Sequence, residues 1–237
     1  MKHDFNNYKF RASSAGKLMT EPKKGSKESI SETTKTYLLE CYIGLAYGRK
    51  KEIISKTLQK GLAQEEDSLT LLSRVEKTFF KKNDDQFSND WLRGTPDIIH
   101  ILPEGKKIIR DIKTSWDIFT FFNAKVSQIN KDYWFQLQVY MDLTGAETAF
   151  LDYCLVNTPP ALIESEKRKF LWNQGIVNPN DDVEMEAFAV IEKNCLFDDI
   201  PMTERIHTKV IERNQDDINR LHERIIQCRE YMNETFN

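Results

Sequence analysis

Two aspartates and a lysine surround a predicted β-hairpin near the middle of this chain of 237 residues. Asp97 begins one apolar run, Asp111 lies fourteen residues later near the end of the next, and Lys113 follows two residues beyond it. Residues 103–106 between the runs have turn chemistry, which makes the two carboxylates near neighbours across the ladder, with Cβ atoms about 5–8 Å apart. Strand alternation places Asp111 and Lys113 on one face and Ile112 on the other.

This arrangement of charges points to metal chemistry on phosphate. Two carboxylates that face each other destabilise a sheet, and a divalent cation between them removes that cost. Hard cations such as Mg²⁺ prefer carboxylate oxygens, and a neighbouring lysine can polarise a phosphate or hold an attacking water. The competing interpretation is a surface hairpin with incidental charges, because an Asp-x-Lys pattern alone occurs by chance in most proteins of this size.

A third carboxylate, Glu65, lies on a long helix predicted over about residues 53–80. It falls on a stripe of leucines at helical spacing, and a carboxylate that faces a core needs a partner or a metal. Gly61, one turn earlier, would let a substrate or another backbone approach closely. The alternative is a slightly rotated helix from which Glu65 reaches solvent. The stripe consists of Leu58, Leu62, Leu69 and Leu72.

Four polar side chains could contact phosphate or hold a catalytic group. Gln136 and Tyr140 lie four residues apart on one face of a helix predicted over 130–143, although an ordinary amphipathic helix has the same pattern. Arg11 and Ser13 stand at the start of a short predicted helix, whose N-terminus attracts phosphate, with simple capping as the alternative.

The elements that would position these residues predict an α/β fold with a small mixed sheet flanked by helices. The helix from Asn130 and a strand over about 148–156 would make a βαβ crossover beside the hairpin, with a preceding strand near Phe79–Phe80 or Trp91. The apolar seam of the last helix is expected to pack on its own domain. Further helices are predicted over about 31–48, 162–172, 182–196 and 206–232, with a loop over 177–182.

The composition is typical of a globular protein that is not embedded in a membrane. The net charge of −3 does not itself indicate nucleic-acid binding, so such binding would need a local basic patch. The four cysteines are too far apart for a zinc site or an iron–sulfur cluster, and reduced thiols suit a cytoplasmic protein. No apolar run approaches about 18 residues, and the polar N-terminus lacks the core of a signal peptide, so we expect no membrane association.

Taken in order, four motifs resemble the PD-(D/E)xK nuclease superfamily. The last motif narrows the resemblance to the branch of lambda-type exonucleases and YqaJ-like viral recombinases, and residues 11–14 are similar to the opening of the lambda-type enzymes. The resemblance implies a restriction-endonuclease-like fold in a single nuclease domain over 1–237, with a core over about 11–156 and a helical extension over about 160–237. The motifs are Gly61 with Glu65, Gly94 to Asp97, Asp111 to Lys113, and Gln136 with Tyr140.

The resemblance also implies roles for the hairpin and the helical glutamate. Asp97 and Asp111 would ligate Mg²⁺ or Mn²⁺ together with the carbonyl of Ile112. Glu65 would complete the metal shell directly or through water. Lys113 would orient or help to deprotonate the attacking water and would stabilise charge on the scissile phosphate.

By the same resemblance, Gln136 and Tyr140 would brace the site and contact the DNA strand, and Arg11 and Ser13 would hold a backbone or terminal phosphate. An iron–sulfur cluster, which some relatives carry on closely spaced C-terminal cysteines, is not expected here. The corresponding cysteines are far apart in this chain: Cys154, Cys195 and Cys228.

The implied function is a metal-dependent nuclease, most specifically a phage-type exonuclease that acts on double-stranded DNA in recombination or DNA processing. Lambda-type relatives resect 5′ strands, pass the 3′ tail to a single-strand annealing protein, and form ring-shaped trimers. Three alternatives stay open: a sequence- or structure-specific endonuclease, a DNA-binding module with an idle site, and a generic metal-binding α/β domain.

Overall fold

The computed structural model describes residues 3–51, 55–176 and 182–237, which form two small β-sheets and nine α-helices. The strands are β1 (Phe10–Arg11), β2 (Phe87–Ser88), β3 (Leu92–Gly94), β4 (Ile98–Ile101), β5 (Lys107–Thr114), β6 (Thr148–Cys154) and β7 (Ile206–Glu212). The helices are α1 (Ala15–Leu18), α2 (Glu32–Tyr47), α3 (Lys56–Ala63), α4 (Glu65–Glu76), α5 (Ile118–Val126), α6 (Lys131–Thr144), α7 (Pro160–Gln174), α8 (Asp182–Cys195) and α9 (Gln215–Phe236).

The central sheet is mixed and has the order β4-β5-β6-β7. Strands β4 and β5 are antiparallel, β5 and β6 are parallel, and β6 and β7 are antiparallel. Helices α5 and α6 connect the two parallel strands, which is the predicted βαβ crossover. The predicted α/β class, with a restriction-endonuclease-like core flanked by helices, is confirmed.

A second, smaller sheet in the order β1-β3-β2 packs against α6. The contact is close at Gly94, where a Cβ atom would lie 2.7 Å from Tyr140 Cε1 and 2.8 Å from the Cβ of Ala12. A larger residue at this position would force β3 away from α6. Glycine therefore allows β3 to lie close to α6, the helix that carries Gln136, three residues before the chain reaches Asp97.

Capping residues mark where two of the predicted helices, α2 and α6, begin. Ser31 accepts a hydrogen bond from the Thr34 amide at the start of α2, and Asn130 accepts one from the Asp132 amide at the start of α6. Helix α6 ends at Gly145, which has φ of 70°. The predictions of helices over about 31–48 and 130–143 are confirmed.

The main core lies between the central sheet, α6, α1 and α9, and it includes Ile109, Leu137 and Leu151. The apolar side of α9 is buried in this core, which confirms that the seam packs on its own domain. All four cysteines are free. No helix in the described part of the chain has the length and apolarity needed to cross a bilayer. The buried apolar residues of α9 are Ile218, Leu221, Ile225, Cys228 and Met232.

The predicted helix over 206–232 is wrong in its first part, because residues 206–212 form strand β7. The segment contains β-branched residues and pairs with β6 along its length, as in Leu151↔Lys209. Asn214 then caps α9 by accepting a hydrogen bond from the Asp217 amide. Ile211 lies seven residues before Ile218 of α9, a spacing that fits a helix, but Ile211 itself lies in β7.

The predicted helix over 53–80 is also wrong in detail. It consists of α3 and α4 with a break at Gln64, and it ends before Lys77, whose φ is 51°. Phe79–Phe80 is not a strand, whereas β3 directly follows Trp91. The first residues of this predicted helix and nearly all of the predicted 177–182 loop lie outside the described residues.

A buried ion network joins α4 to the central sheet. Arg110, whose side chain is 2% exposed, contacts Asp152 through Nε at 2.8 Å and Glu76 through both terminal nitrogens. Thr208 also donates a hydrogen bond to Asp152. The guanidinium lies near the rings of Phe80 and Phe150. The network holds the helix that begins with Glu65 against the strand that carries Asp111.

Candidate active site

The predicted hairpin is confirmed, and its register places Asp97 beside Asp111. Ile98 pairs with Arg110 in the antiparallel ladder, so the preceding residue, Asp97, comes opposite Asp111. The carboxylate Oδ2 of Asp97 accepts a hydrogen bond of 2.7 Å from the amide of Ile112. A side chain thereby replaces the ladder bond that β4 would otherwise have continued.

The carbonyl of Ile112 lies on the same open edge of β5, because the N–H and C=O groups of one strand residue point to the same neighbour. Carrying the register one residue further places Pro96 opposite Ile112. Proline has no N–H to donate, so the Ile112 carbonyl has no ladder donor from this strand. The Pro-Asp pair thus leaves a backbone oxygen available beside two carboxylates.

Asp111 is buried and is held by α6 and by its own strand. Its Oδ1 accepts a hydrogen bond of 3.1 Å from Gln136 Nε2, which also donates to the Tyr140 hydroxyl at 2.9 Å. Its Oδ2 lies 2.7 Å from Lys113 Nζ, and Lys113 also reaches Gln136 Oε1 at 3.4 Å. The structure therefore brings together the Asp97–Asp111 pair, Lys113, and the two side chains predicted to brace the site.

One oxygen of this cluster is incompletely satisfied. Asp111 Oδ2 is buried and makes no aligned hydrogen bond within the described part of the chain, although it forms the ion pair with Lys113. A buried carboxylate oxygen without such a partner is costly. A further cation or hydrogen-bond donor would satisfy this oxygen more fully.

The electrostatics of the cluster show an excess of negative charge. Burial, followed by repulsion from Asp111, raises the pKa of Asp97 to about 7. Burial also raises the pKa of Asp111, although Lys113 counteracts the shift. Burial alone would lower the pKa of Lys113, but attraction to Asp111 and Asp97 outweighs it and raises that pKa. Two carboxylates share one ammonium, so an added cation would be stabilised.

Glu65 faces the same region across a cavity of about 250 Å³ that Asp97, Ile112 and Lys82 also line. Its Oε1 forms an ion pair of 2.9 Å with Lys82 Nζ. In the described part of the chain, no group of three Asp, Glu, His or Cys residues is close enough to hold a metal ion. Glu65 is therefore near the aspartates but stands apart from them.

The sequence argument that placed Glu65 on a continuous leucine stripe is wrong, although Glu65 does lie close to the site. Leu58 and Leu62 are exposed, whereas Leu69 and Leu72 pack in a small core cluster, so only the second half of the leucine stripe faces a core. The break at Gln64 starts a new helix at Glu65, and this start, rather than a continuous stripe, directs the side chain toward the cavity.

Arg11 and Ser13 are exposed and make no hydrogen bond or ion pair with the aspartates among the described residues. They lie on either side of Ala12, which packs on Gly94 beside the Tyr140 ring. Arg11 also lies opposite Arg93 in the parallel β1–β3 pair. Their predicted contact with phosphate stays a prediction.

Sequence reasoning missed two residues of the site. Tyr133 places its ring 4.7 Å from Lys113 Nζ, and its helical spacing with Gln136 and Tyr140 could have revealed it. The second residue is Lys82, which pairs with Glu65 at 2.9 Å. No local pattern marks Lys82, because its ion pair with Glu65 depends on the tertiary fold.

Comparisons with known proteins address the fold. The chain matches no protein-family model and no curated protein. It is similar in structure to a phage-related exonuclease from Haemophilus somnus 129PT, with 25% identity, a TM-score of 0.72, and coverage of 97% of this chain and 96% of that chain. By its fold, the chain is similar to the lambda-exonuclease-like nucleases.

Two further structures share the lambda-exonuclease-like fold. The alkaline exonuclease LHK-Exo from Laribacter hongkongensis matches with 14% identity, a TM-score of 0.63, and coverage of 98% of this chain and 92% of that chain. The same enzyme in complex with dAMP matches with 15% identity, a TM-score of 0.61 and the same coverage. The coverage includes β7 and α9, so the C-terminal third belongs to the shared fold.

Proposed function

We propose that this protein is a divalent-metal-dependent DNA exonuclease that hydrolyses phosphodiester bonds in double-stranded DNA. The observation that carries the proposal is the buried Asp97–Asp111 pair, held beside Lys113 at the end of a hairpin. The structural neighbours support it, since they are described as exonucleases and one of them is in complex with dAMP.

The donor atoms fit Mg²⁺ or Mn²⁺. The cluster offers carboxylate oxygens from Asp97 and Asp111 and the carbonyl of Ile112, and hard divalent cations prefer oxygen donors of this kind. We assign these three residues as ligands, with Glu65 joining directly or through water.

A bound divalent ion would lower the pKa of water and neutralise charge on the phosphate. Lys113 holds its proton because of the two aspartates, so its ammonium group is available to stabilise negative charge on the scissile phosphate and to orient water. Gln136 fixes the orientation of the Asp111 carboxylate while Tyr140 fixes Gln136. These contacts keep the site ordered before substrate binds.

The DNA contacts of the proposal lie around this centre. Arg11 and Ser13 would bind a backbone or terminal phosphate, and Gln136 and Tyr140 would lie beside the strand. The biological role that we propose is DNA recombination or phage DNA processing. A single-strand annealing protein as partner and a homotrimer are part of the same proposal.

We expect linear double-stranded DNA to be degraded from its ends in the presence of Mg²⁺, while covalently closed circular DNA stays intact. End-labelled linear DNA and a closed plasmid of the same sequence, incubated with equal enzyme, test this expectation. Linearising the plasmid should make it a substrate. Cleavage of the closed circle would instead support the endonuclease, and the absence of cleavage on both substrates would contradict nuclease function.

The raised pKa of Asp97 predicts how stability depends on pH. The unfolded chain loses this proton near pH 4, whereas the folded protein keeps it until about pH 7. The folded state therefore binds more protons within this window, and the free energy of unfolding of the metal-free protein should fall as pH rises from about 4 to 7. Thermal unfolding in the presence of a chelator measures this decline.

Mg²⁺ should offset the decline, so it should raise the melting temperature more at about pH 8 than at about pH 5.5, where protons compete with the ion. Asp97→Asn should flatten the pH dependence and reduce the Mg²⁺ effect. An equal Mg²⁺ effect at both pH values would contradict the assignment of Asp97 as a ligand.

A further inference from the structure

Lys82 lies on a chain segment that hydrogen bonds attach to the residues leading into the acidic cavity. The residue after it, Asn83, donates its backbone amide to the Asp97 carbonyl at 2.7 Å. The Asn83 side-chain amide donates to the Pro96 carbonyl at 2.9 Å and to the Asp85 carbonyl at 3.0 Å. These bonds attach the segment between α4 and β2 to the residues that lead into the site, so the backbone next to Lys82 is held beside the cavity.

The ammonium group of Lys82 acts on the carboxylates of the cavity. It pairs with Glu65 at 2.9 Å, where the Lys82 side chain is 47% exposed and the Glu65 side chain is 34% exposed. The hydrogen bond to Glu65 raises the pKa of Lys82, and the charges of Asp84 and Asp97 add to this effect. The charge of Glu65 also contributes to the raised pKa of Asp97. Lys82 therefore places its charge on Glu65 in the cavity that Asp97 also lines.

The contact explains why Glu65 stands apart from the aspartates. Its Oε1 atom is engaged by Lys82, and the described residues contain no cluster of three acidic, histidine or cysteine side chains able to hold a metal ion. The positive charge of Lys82 therefore repels a divalent cation that approaches this oxygen.

We propose that Lys82 is the resident counter-ion of Glu65, and that a divalent cation must displace it before Glu65 can join Asp97 and Asp111. This inference rests on the proposed function, because it takes the two aspartates as ligands. Lys82 thereby sets the metal concentration at which the site fills. It is a positioning residue that acts through Glu65.

Titration of the DNA-free protein with MnCl₂ in a calorimeter tests the inference. Lys82→Ala should tighten Mn²⁺ binding by about tenfold, which is the effect expected for one unit charge a few ångströms from a divalent ion in a half-exposed site. Lys81→Ala is the matched control, because Lys81 is the neighbouring exposed lysine and forms no ion pair with any residue that the structure describes. This variant should bind Mn²⁺ as the unmodified protein does. Lys82→Arg retains the charge and should show no gain.

A second variant tests whether the gain passes through Glu65. Adding Glu65→Gln to Lys82→Ala should remove most of the gain, because the amide is a poor ligand for Mn²⁺. Lys82→Gln provides a further neutral variant, and thermal melting without metal establishes that each variant is folded. Retention of the full gain in the double variant would overturn the role of Glu65.

Equal or weaker Mn²⁺ binding by folded Lys82→Ala would overturn the inference while leaving the proposed function intact. Absence of Mn²⁺ binding by the unmodified protein would overturn both the proposed metal dependence and the inference. The two failures are distinguishable because the first appears only in the variant and the second appears before any substitution.

Discussion

Asp111→Asn should lower the rate of Mg²⁺-dependent nucleotide release from linear double-stranded DNA by about 10³-fold or more. The substitution removes the negative charge of the most buried carboxylate in the site and one of the proposed metal ligands. Loss of a metal ligand removes several kcal/mol of charge stabilisation from the transition state, which corresponds to this factor. The measurement is acid-soluble release of label from uniformly labelled DNA.

The fold of this variant should survive, because asparagine has the same shape and its Oδ1 can still accept the hydrogen bond from Gln136. Asp90→Asn is the matched control, since Asp90 is exposed and lies outside the site, and it should leave the rate unchanged. Activity within tenfold of the unmodified protein for folded Asp111→Asn would remove the central argument for nuclease function.

Arg110→Met should lower the free energy of unfolding by about 3–5 kcal/mol. Methionine approximates the aliphatic length of arginine but leaves Asp152, which is fully buried, without its cationic partner. The cost arises from the uncompensated buried charge more than from the lost attraction, because the desolvation of an ion in the interior is large. Denaturant titration followed by circular dichroism measures the change.

Arg220→Met is the control for this prediction. Arg220 is also paired, with Asp217 at 3.0 Å, but its side chain is 58% exposed. Solvent screens such a pair, so its loss should cost less than about 1 kcal/mol. Adding Asp152→Leu to Arg110→Met should recover part of the lost stability, because it removes the unpaired charge. A similar small cost for both arginine variants would show that the Arg110 network does not hold α4 on the sheet.

The hairpin and its carboxylates were predictable because local chemistry encodes them. A turn segment between two apolar runs sets the register, and the register places Asp97 beside Asp111 without reference to the rest of the fold. Helices α2 and α6 were predictable for the same reason, since their capping residues act within one turn. The four motifs, in their order, also indicated a resemblance to the PD-(D/E)xK nuclease superfamily, which the fold comparison supports.

The strand β7 was mistaken for helix because its reason for being a strand lies outside its own sequence. The apolar residues of this segment fit the period of a helix as well as that of a strand, and pairing with β6 makes the segment a strand. The break at Gln64 is similar, because α3 and α4 follow different neighbours: Lys60 of α3 donates to the Trp116 carbonyl, whereas Ser68 of α4 contacts Thr114.

The sequence by itself determined the types and order of the site residues, the hairpin that joins two of them, and the helix that carries Gln136 and Tyr140. Only the tertiary structure decided that Asp111 Oδ2 lacks an aligned hydrogen bond, that Glu65 faces the cavity from a new helix start, and that Lys82 engages it. The physical reason is the separation along the sequence of the residues that interact. Turns and caps are set by bonds between residues a few positions apart, whereas burial and ion pairing depend on which distant segments share a low-dielectric space.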